Sequence, residues 1–166
     1  MTSTTKTEIM PGIFVRRAAR GDVPGIVRML ADDMLGSQRE KYQDPLPGSY
    51  YDAFERIEND PYAELIVVEA ENEIIGTLQL DFINGLSFQG RQLAQIEAVR
   101  VDSRQRGKGI GRAFLQWAIE YARAKKCHLV QLASNNQRLD AQRFYLDLGF
   151  VASHVGMKLY LDGGKH

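Results

Sequence analysis

The clearest evidence about the fold is the turn Arg106-Gly107-Lys108-Gly109-Ile110-Gly111-Arg112, which joins a strand-like segment, residues 96–101, to a helix-like segment, residues 113–119. Glycine allows positive φ and a close approach of a ligand to the backbone. The first N–H groups of the following helix have no internal partner and lie at the positive end of its dipole. With its three cationic side chains, this turn is suited to bind phosphate.

Two common phosphate-binding motifs are excluded by the spacing. A nucleotide P-loop ends in Gly-Lys-Ser/Thr so that a hydroxyl can bind magnesium, but Gly111 is followed by Arg112 and Ala113. The dinucleotide fingerprint needs Gly-x-Gly-x-x-Gly and an acidic residue roughly 20 residues further on. The glycines of this turn alternate instead, and Cys127-His128-Leu129-Val130 offers no such acid. The turn therefore belongs to another class of phosphate site.

The segment Arg-x-x-Gly-x-Gly, from Arg106 to Gly111, follows a Val-x-Val strand and resembles the acetyl-CoA motif of the GNAT superfamily, the acyl-CoA-dependent N-acyltransferases. Further along, residues 134–150 resemble the last block of this superfamily, Asn-x-x-Arg-x-x-Ala-x-x-Phe-Tyr-x-x-x-Gly-Phe. The two blocks stand in the order that the superfamily has. The resemblance extends from about Phe14 to Leu161 and is strongest over residues 95–150.

Composition indicates one soluble globular domain. The chain has 166 residues, of which 44% are hydrophobic, and its 21 basic residues balance 21 acidic ones. A neutral chain is not expected to bind nucleic acid in general. The single cysteine, Cys127, excludes an internal disulfide and a cysteine zinc site, which fits a reducing cytoplasm. No apolar run approaches the roughly 20 residues of a membrane span. We expect a cytoplasmic protein without a metal or a membrane anchor.

The apolar periodicity predicts an α/β fold with the order βααβββαβαββ. Strands are expected at about 14–18, 64–69, 74–80, 93–101, 129–133, 150–152 and 157–161, and helices at about 22–35, 49–58, 110–124 and 139–148. This is the order of the GNAT fold, which has a single mixed, twisted β-sheet of six to seven strands flanked by about four helices. Residues 1–10 are polar and expected to be disordered, and residues 11–166 are expected to form a single GNAT N-acetyltransferase domain.

The resemblance implies how acetyl-CoA binds. In the GNAT fold the fourth and fifth strands splay apart, and the pantetheine arm inserts between them, where backbone groups of Val99 and Val101 would bond its amides. Asn135 and Asn136 are equally suited to cap a helix, and Arg138 to be solvated. The implied cofactor contacts are Val99, Arg100, Val101, Arg106, Gly107, Lys108, Gly109, Ile110, Gly111, Arg112, Asn135, Asn136, Arg138 and Tyr145.

Glu97 and Tyr145 are the expected catalytic residues. An amine with a pKa near 10.4 is mostly ammonium at neutral pH, so a base must take a proton from it. Glu97 lies two residues before Val99, on the same face of a regular strand, and GNAT enzymes often carry a glutamate there. We expect it to be buried; the alternative is an exposed or salt-bridged residue, with Asp81 and Glu69 as weaker substitutes. Tyr145 matches the tyrosine that GNAT enzymes place beside the sulfur, where it protonates the leaving thiolate; its alternative is packing.

The acceptor is not encoded in one motif. Candidate residues for its wall, from the second helix and from loops, are Tyr50, Tyr51, Phe82, Phe88 and His154. The chain is expected to be an N-acetyltransferase that moves the acetyl group of acetyl-CoA directly to a primary amine. A small-molecule acceptor is favoured, because no charged run suggests a peptide groove. The alternatives are a protein or peptide N-acetyltransferase and a non-catalytic acyl-CoA-binding sensor domain, and a homodimer is one option for the assembly.

Acetyl-CoA is expected to raise the melting temperature, whereas NAD and ATP are not. A ligand that binds only the native state stabilises by mass action, by about 2.7 kcal/mol at 100 times its Kd. Differential scanning fluorimetry with the three ligands at equal concentration measures the shifts. An equal shift with ATP would rule out the coenzyme A interpretation of the glycine turn.

Overall fold

The structure, a computed structural model, describes residues 5–163. These residues form a mixed six-stranded sheet in which neighbours follow chain order, with β6 parallel to β5 and every other pair antiparallel. The strands are β1 (Thr7–Met10), β2 (Ile13–Arg17), β3 (Ala63–Ala70), β4 (Glu73–Asn84), β5 (Gln92–Val101) and β6 (Val130–Leu132). The helices are α1 (Val23–Ala31), α2 (Gly36–Arg39), α3 (Gly48–Glu58), α4 (Ser87–Gly90), α5 (Ile110–Ala124) and α6 (Leu139–Asp147), and 3₁₀ turns lie at Arg20–Asp22 and Ser103–Gln105. The α/β class and the mixed sheet confirm the prediction.

The described residues divide into two compact units. The first unit ends at Leu132 and contains the whole sheet with α1–α5, and the second begins at Ala133 and contains α6. The single domain over residues 11–166 stays a prediction. Over the range 5–163, no helix has both the length and the apolar character needed to cross a membrane.

The sheet of the first unit carries apolar layers on both faces. On one face, Phe82 of β4 lies beneath α5, with its ring centroid 6.4 Å from that of Tyr121. On the other, Leu65 of β3 packs against Val23, Val27 and Phe54 of α1 and α3. The helical spacing of Val23 and Val27 predicted this buried stripe. Each fully buried side chain of this size contributes about 1.5–3 kcal/mol to folding, which holds the helices on the sheet.

The N-terminal segment corrects one expectation. Residues 1–4 lie outside the described residues, but Thr7–Met10 forms β1 and pairs with β2 through a turn in which Gly12 has φ of 75°. Polar composition suggested disorder because it offers little apolar surface. The strand instead gains backbone hydrogen bonds at the edge of the sheet, which composition does not reveal.

The C-terminal segment corrects another expectation. The strands predicted at 150–152 and 157–161 do not form in the described chain, and this segment has no regular structure up to residue 163. Its alternating apolar residues are solvent-exposed: Val155, Met157, Leu159 and Leu161 have 84–93% of their surface accessible. Alternation predicts which side chains share a face of a strand, but a strand also needs a hydrogen-bonded neighbour, which the local pattern does not specify.

Two short helical segments occupy predicted loops. The first helix was expected to continue to about residue 35, but α1 ends at Ala31 and α2 follows at Gly36–Arg39. The break is stabilised by Asp33, whose Oδ1 accepts a hydrogen bond from Gly36 N–H at 2.5 Å. A side-chain to backbone bond such as that of Asp33 competes with the continuation of a helix. In the second segment, α4, Phe88 and Gln89 have positive φ of 52° and 64°.

A buried carboxylate connects β1 and β2 to the rest of the sheet. Glu69 of β3 is 7% exposed and accepts hydrogen bonds from Lys6 and from Arg16 Nε, the latter at 2.6 Å. Arg16 also donates to Asp22 at 2.7 Å. Burial disfavours the charged form of Glu69, but the hydrogen bonds from Lys6 and Arg16 outweigh it and lower the pKa of Glu69. Glu69 is thus engaged in a structural network, which makes it a poor substitute base.

Replacing Glu69 by Gln is expected to weaken the dependence of the free energy of unfolding on pH in the acid range. The carboxylate is favoured in the folded state, so the unfolded chain binds more protons in acid. The contribution of Glu69 is complete above its ordinary pKa of about 4.3 and is lost as the pH falls through the lower folded pKa. At pH 7, Glu69→Gln should cost about 1–3 kcal/mol. Calorimetry from pH 7 down to about 3 covers this window, with the exposed Glu71→Gln as control; parallel curves for wild type and Glu69→Gln would contradict the role.

Candidate functional site

A β-bulge interrupts the pairing of β4 with β5 at Ala98. The register places Gln79 opposite Glu97 and Thr77 opposite Arg100, so one residue of β4 faces two residues of β5. Ala98 has φ of 53°, in the left-handed region that an alanine rarely adopts. The extra residue shifts the alternation of β5 by one position from here to its end.

The bulge overturns the expectation that Glu97 and Val99 share a face. Thr77 and Gln79 are two residues apart on β4 and point to the same side. Their partners Arg100 and Glu97 therefore share that side, and Val99 points to the other. The expectation assumed a regular strand, and an alanine carries no signal for a bulge, unlike a glycine.

The bulge also directs the backbone N–H groups of Val99 and Val101 away from β4. Asp102 N–H donates to the carbonyl of Ile75 on β4 at 2.8 Å, and alternate residues of a strand direct their N–H groups to opposite edges. β6 pairs with β5 only over residues 94–96. Among the described strands, none covers the edge of β5 beyond Ile96, which we call the open edge. The two strands expected to splay apart are β5 and β6, whose pairing stops at Ile96 and Leu132; the insertion of a pantetheine arm there stays a prediction.

The glycine turn, residues 106–111, follows β5 and leads into α5. Gly107 and Gly109 have φ of 78° and 80°, and a Cβ at either position would meet no atom within 4 Å. The glycines are thus required by the backbone, and the space beside them is open. Gly109 is the N-cap of α5 and has no side chain to cap it, and the intrahelical bonds begin with Ala113 N–H to Gly109 O at 3.1 Å. The earlier N–H groups of the helix are available to a ligand.

Three exposed cations surround the glycine turn. Arg106, Lys108 and Arg112 make no ion pair within residues 5–163, and Lys108 donates to Gln105 Oε1 at 2.9 Å. Positive side chains at a helix N-terminus repel its dipole, so they do not stabilise α5. A bound anion removes this repulsion, and the arrangement is therefore that of an anion site.

Two residues of the predicted cofactor set make contacts within the protein. Arg100 has its Nε 3.8 Å from Asp33 Oδ2, and its Nη1 donates to the Val99 carbonyl oxygen at 2.8 Å. The Ile110 side chain is 2% exposed and belongs to the core. Sequence spacing alone could not separate backbone from side-chain roles here.

Glu97 belongs to a polar row on β4, β5 and β6. Gln95 Nε2 donates to Glu97 Oε1 at 3.0 Å, and Gln131 Nε2 donates to Gln95 Oε1 at 2.6 Å. On β4, Gln79 Nε2 donates to both oxygens of Asp81 at 2.9 and 3.1 Å. The Glu97 side chain is exposed, which corrects the expected burial. Two carboxylates and three amides thus form a hydrogen-bonding surface on one face of the sheet.

This polar row lies on the face that carries α1 and α3. Leu65, Gln79 and Glu97 stand opposite one another on β3, β4 and β5, and Leu65 packs against the α1 and α3 cluster. Tyr50 and Tyr51 of α3 pack against the same cluster. The first unit therefore brings the predicted base and two predicted acceptor residues to one face.

The two tyrosines have different surroundings. Tyr50 Oη accepts from Lys41 N–H at 2.8 Å and donates to Glu40 at 2.9 Å, and burial raises the pKa of Tyr50. Tyr51 lies under the Arg20 guanidinium, 4.6 Å from the ring centroid. It also lines a cavity of about 360 Å³, together with Pro24, Tyr42, Gln43, Asp44, Pro45 and Leu46. Tyr51 is the better placed of the two to contact a small molecule.

The remaining acceptor candidates do not join this group. Phe82 is 6% exposed and lies under Tyr121 and Lys125 on the opposite face, so it is a core residue. Phe88 is exposed on α4, where its ring lies 5.4 Å from that of His128. His154 is exposed in the second unit beside Ser153. Aromatic residues suit cores and binding sites equally, which is why the sequence did not separate them.

The second unit contains the other predicted block. Asn135 Oδ1 accepts from Gln137 N–H at 2.9 Å, which makes it a turn residue, and the N-cap of α6 is Arg138 instead of an asparagine. Asn136 is exposed. The half-buried ring of Tyr145 lies 5.4 Å from Phe144 and 5.9 Å from Phe150. Gly149, with φ of 96°, follows the end of α6, which agrees with the helix predicted at about 139–148. The catalytic role of Tyr145 stays a prediction.

Known proteins resemble this chain over most of its length. The family described as acetyltransferase (GNAT) matches residues 29–150. An aminoalkylphosphonate N-acetyltransferase of Salmonella typhimurium is 28% identical over 149 residues, which cover 90% of this chain and 92% of that protein. An L-methionine sulfoximine/L-methionine sulfone acetyltransferase of Pseudomonas paraeruginosa is 28% identical over 149 residues, which cover 87% of this chain and 86% of that protein.

A solved structure is more similar. A transcriptional regulator from Bacillus halodurans C-125 is 49% identical and superposes with a TM-score of 0.87, over 90% of this chain and 99% of that one. The family match includes the glycine turn and the block around Tyr145. The chain belongs to the acetyltransferase (GNAT) family.

Proposed function

We propose that the protein transfers the acetyl group of acetyl-CoA directly to the primary amine of a small molecule. The observation that carries this proposal is the continuity of the open edge of β5 with the glycine turn. One stretch, residues 99–111, offers backbone N–H groups for an amide-containing arm and then an anion site for a diphosphate. Coenzyme A has these two parts in the same order.

The residues at this stretch fit coenzyme A. Val99 and Val101 present backbone groups at an edge without a strand neighbour in the described chain, and extended ligands bind such edges through main-chain hydrogen bonds. Gly107 and Gly109 leave open the space that a side chain would fill. Arg106, Lys108 and Arg112 supply the charge that a diphosphate requires.

When bound, acetyl-CoA supplies a thioester whose acyl carbon is open to attack by a neutral amine. Glu97 would take the proton that the ammonium form must lose, directly or through water, since its side chain is exposed. The Gln95 amide, which donates to Glu97 Oε1 at 3.0 Å, holds the carboxylate in position. The Tyr145 hydroxyl would supply a proton to the departing sulfur.

A small-molecule acceptor is supported by two observations. The relatives from Salmonella and Pseudomonas are named for small amine-bearing substrates. In this chain, the cavity beside Tyr51 has a volume of about 360 Å³, which suits a small ligand. Its aromatic and apolar walls with one carboxylate, Asp44, favour an amine that carries an apolar group. A cytoplasmic location and a homodimer stay predictions.

A non-catalytic acyl-CoA sensor is the second candidate, because the 49% identical protein from Bacillus halodurans is described as a transcriptional regulator. Calorimetric titration with acetyl-CoA, followed by a thiol-release assay on a panel of small amines and peptides, separates the candidates. Binding with release on a small amine supports the proposal. Binding without release on any acceptor favours the sensor, and release on peptides alone favours a peptide acetyltransferase. Absence of binding contradicts all three coenzyme A functions.

Gly109→Asp is expected to abolish binding of acetyl-CoA, because a carboxylate would enter the open space of the glycine turn. Losing two charge-assisted hydrogen bonds costs about 3 kcal/mol or more, which is about 100-fold in Kd. Gly12→Asp is the matched control, since Gly12 also has positive φ, 75°, with open space around it. If folded Gly109→Asp and Gly12→Asp bind acetyl-CoA equally well by calorimetry, the anion site lies elsewhere.

Glu97→Gln and Tyr145→Phe are expected to keep acetyl-CoA affinity and to lower kcat. Each replacement keeps the shape of the side chain and removes its proton chemistry, which typically contributes about 10²- to 10⁴-fold. Raising the pH should partly restore Glu97→Gln, because more of the amine is then neutral in solution. Steady-state kinetics on the identified acceptor gives both results. Wild-type kcat in both variants would disprove these roles and direct attention to Asp81.

A further inference from the structure

Asp102 is a buried carboxylate directly after β5, with 1% of its surface exposed. Its Oδ1 accepts hydrogen bonds from Arg104 N–H at 2.9 Å and Arg104 Nε at 3.0 Å. Its Oδ2 accepts from Arg104 Nη2 and from Arg28 Nη2, both at 2.9 Å. The bonds from Arg104, with a smaller contribution from Arg28, outweigh the effect of burial and lower the pKa of Asp102. The charged form of this buried carboxylate is therefore favoured, and four hydrogen bonds hold it in place.

The backbone of Asp102 links two parts of the coenzyme A stretch. Its N–H donates to Ile75 O on β4 at 2.8 Å, which fixes the end of the open edge. Its carbonyl accepts from Gln105 N–H at 2.8 Å, which closes the 3₁₀ turn Ser103–Gln105. The side chain caps this same turn through Arg104 N–H. The glycine turn begins at the next residue, Arg106, so its starting direction is set by Asp102.

Two ion pairs of opposite polarity connect this region to α1. Arg28 of α1 pairs with Asp102 at 2.9 Å, and Asp33, just after α1, lies 3.8 Å from Arg100. The helix is itself fixed on the sheet by the buried Val27. The end of β5 is thus held against a packed helix by side chains, in addition to its backbone pairing with β4.

We propose that Asp102, supported by Arg28, is a positioning residue that holds the glycine turn in the orientation that binds coenzyme A. The proposal rests on the proposed function, since it assigns coenzyme A to this turn. A turn without its cap samples several conformations, and a ligand must then order it on binding, which weakens affinity. Asp102 also pairs with the Arg104 guanidinium, so Arg104 helps to hold the turn. Arg106, Lys108 and Arg112 are then the cations that face the ligand.

Asp102→Asn and Arg28→Met test this role in the full-length protein, and Glu120→Gln is the matched control. Glu120 is an exposed carboxylate that pairs with Arg123 on α5. Asp102→Asn should raise the Kd and the KM for acetyl-CoA at least about 10-fold, and Arg28→Met less. The kcat and the KM for the acceptor should stay within about twofold of wild type, because the variants leave Glu97 and the acceptor face intact.

Hydrogen exchange on the ligand-free protein supplies a readout independent of activity. In Asp102→Asn, exchange should become faster at residues 104–106, whose N–H groups bond within the turn that Asp102 caps, while β2, β3 and β4 keep their protection. The double variant should lose less affinity than the sum of the two single losses, since both residues act through one ion pair. Arg28→Met keeps the test informative if Asp102→Asn does not fold, because the Arg28 side chain is 34% exposed.

The outcomes separate the inference from the function on which it rests. If wild type binds acetyl-CoA and folded Asp102→Asn or Arg28→Met binds it equally well, the positioning role is wrong. Faster exchange throughout the sheet, with affinity lost only in proportion to stability, would also overturn it. If wild type binds no acyl-CoA, the proposed function fails; faster exchange at residues 104–106 alone would then support only the role of Asp102 in holding the turn.

Discussion

The bulge at Ala98 is the constraint on which the site depends. Without the extra residue, β5 would continue its alternation, and the N–H groups of Val99 and Val101 would be directed toward β4 and paired there. With it, they are directed to the side where β6 has already ended. The same residue separates the Glu97 side chain from those of the two valines. One inserted residue therefore produces both the open backbone edge and the division of roles between the two faces.

The parts of the site that the sequence predicted are those set by local backbone chemistry. Positive φ at Gly107 and Gly109, the start of α5 and the end of α6 just before Gly149 each follow from glycine's freedom within a few residues. The β3–β4 hairpin and the buried stripe of α1 follow from periodicity. These features need no knowledge of distant residues, and the structure has them where they were expected.

The parts that were not predicted depend on distant partners or on residues without a signal. Ala98 forms the bulge although alanine has no special preference for it. Asp102 is buried because it meets Arg28, which lies 74 residues away in the chain. The exposure of Glu97 follows from which part of the sheet the helices cover. The prediction of two strands near the C-terminus was wrong for a related reason, since alternating apolar residues do not specify which strand would pair with them.

The uncompensated cations of the glycine turn have a kinetic consequence. The chain carries 21 positive and 21 negative side chains, so it has no net charge to attract a ligand from a distance. Physiological salt also screens individual charges beyond the Debye length of about 8 Å. A polyanionic ligand therefore feels attraction only in the last stage of its approach, where Arg106, Lys108 and Arg112 face it. Added salt will act mainly on the association rate constant, while the residence time of the ligand is set by the hydrogen bonds of the turn.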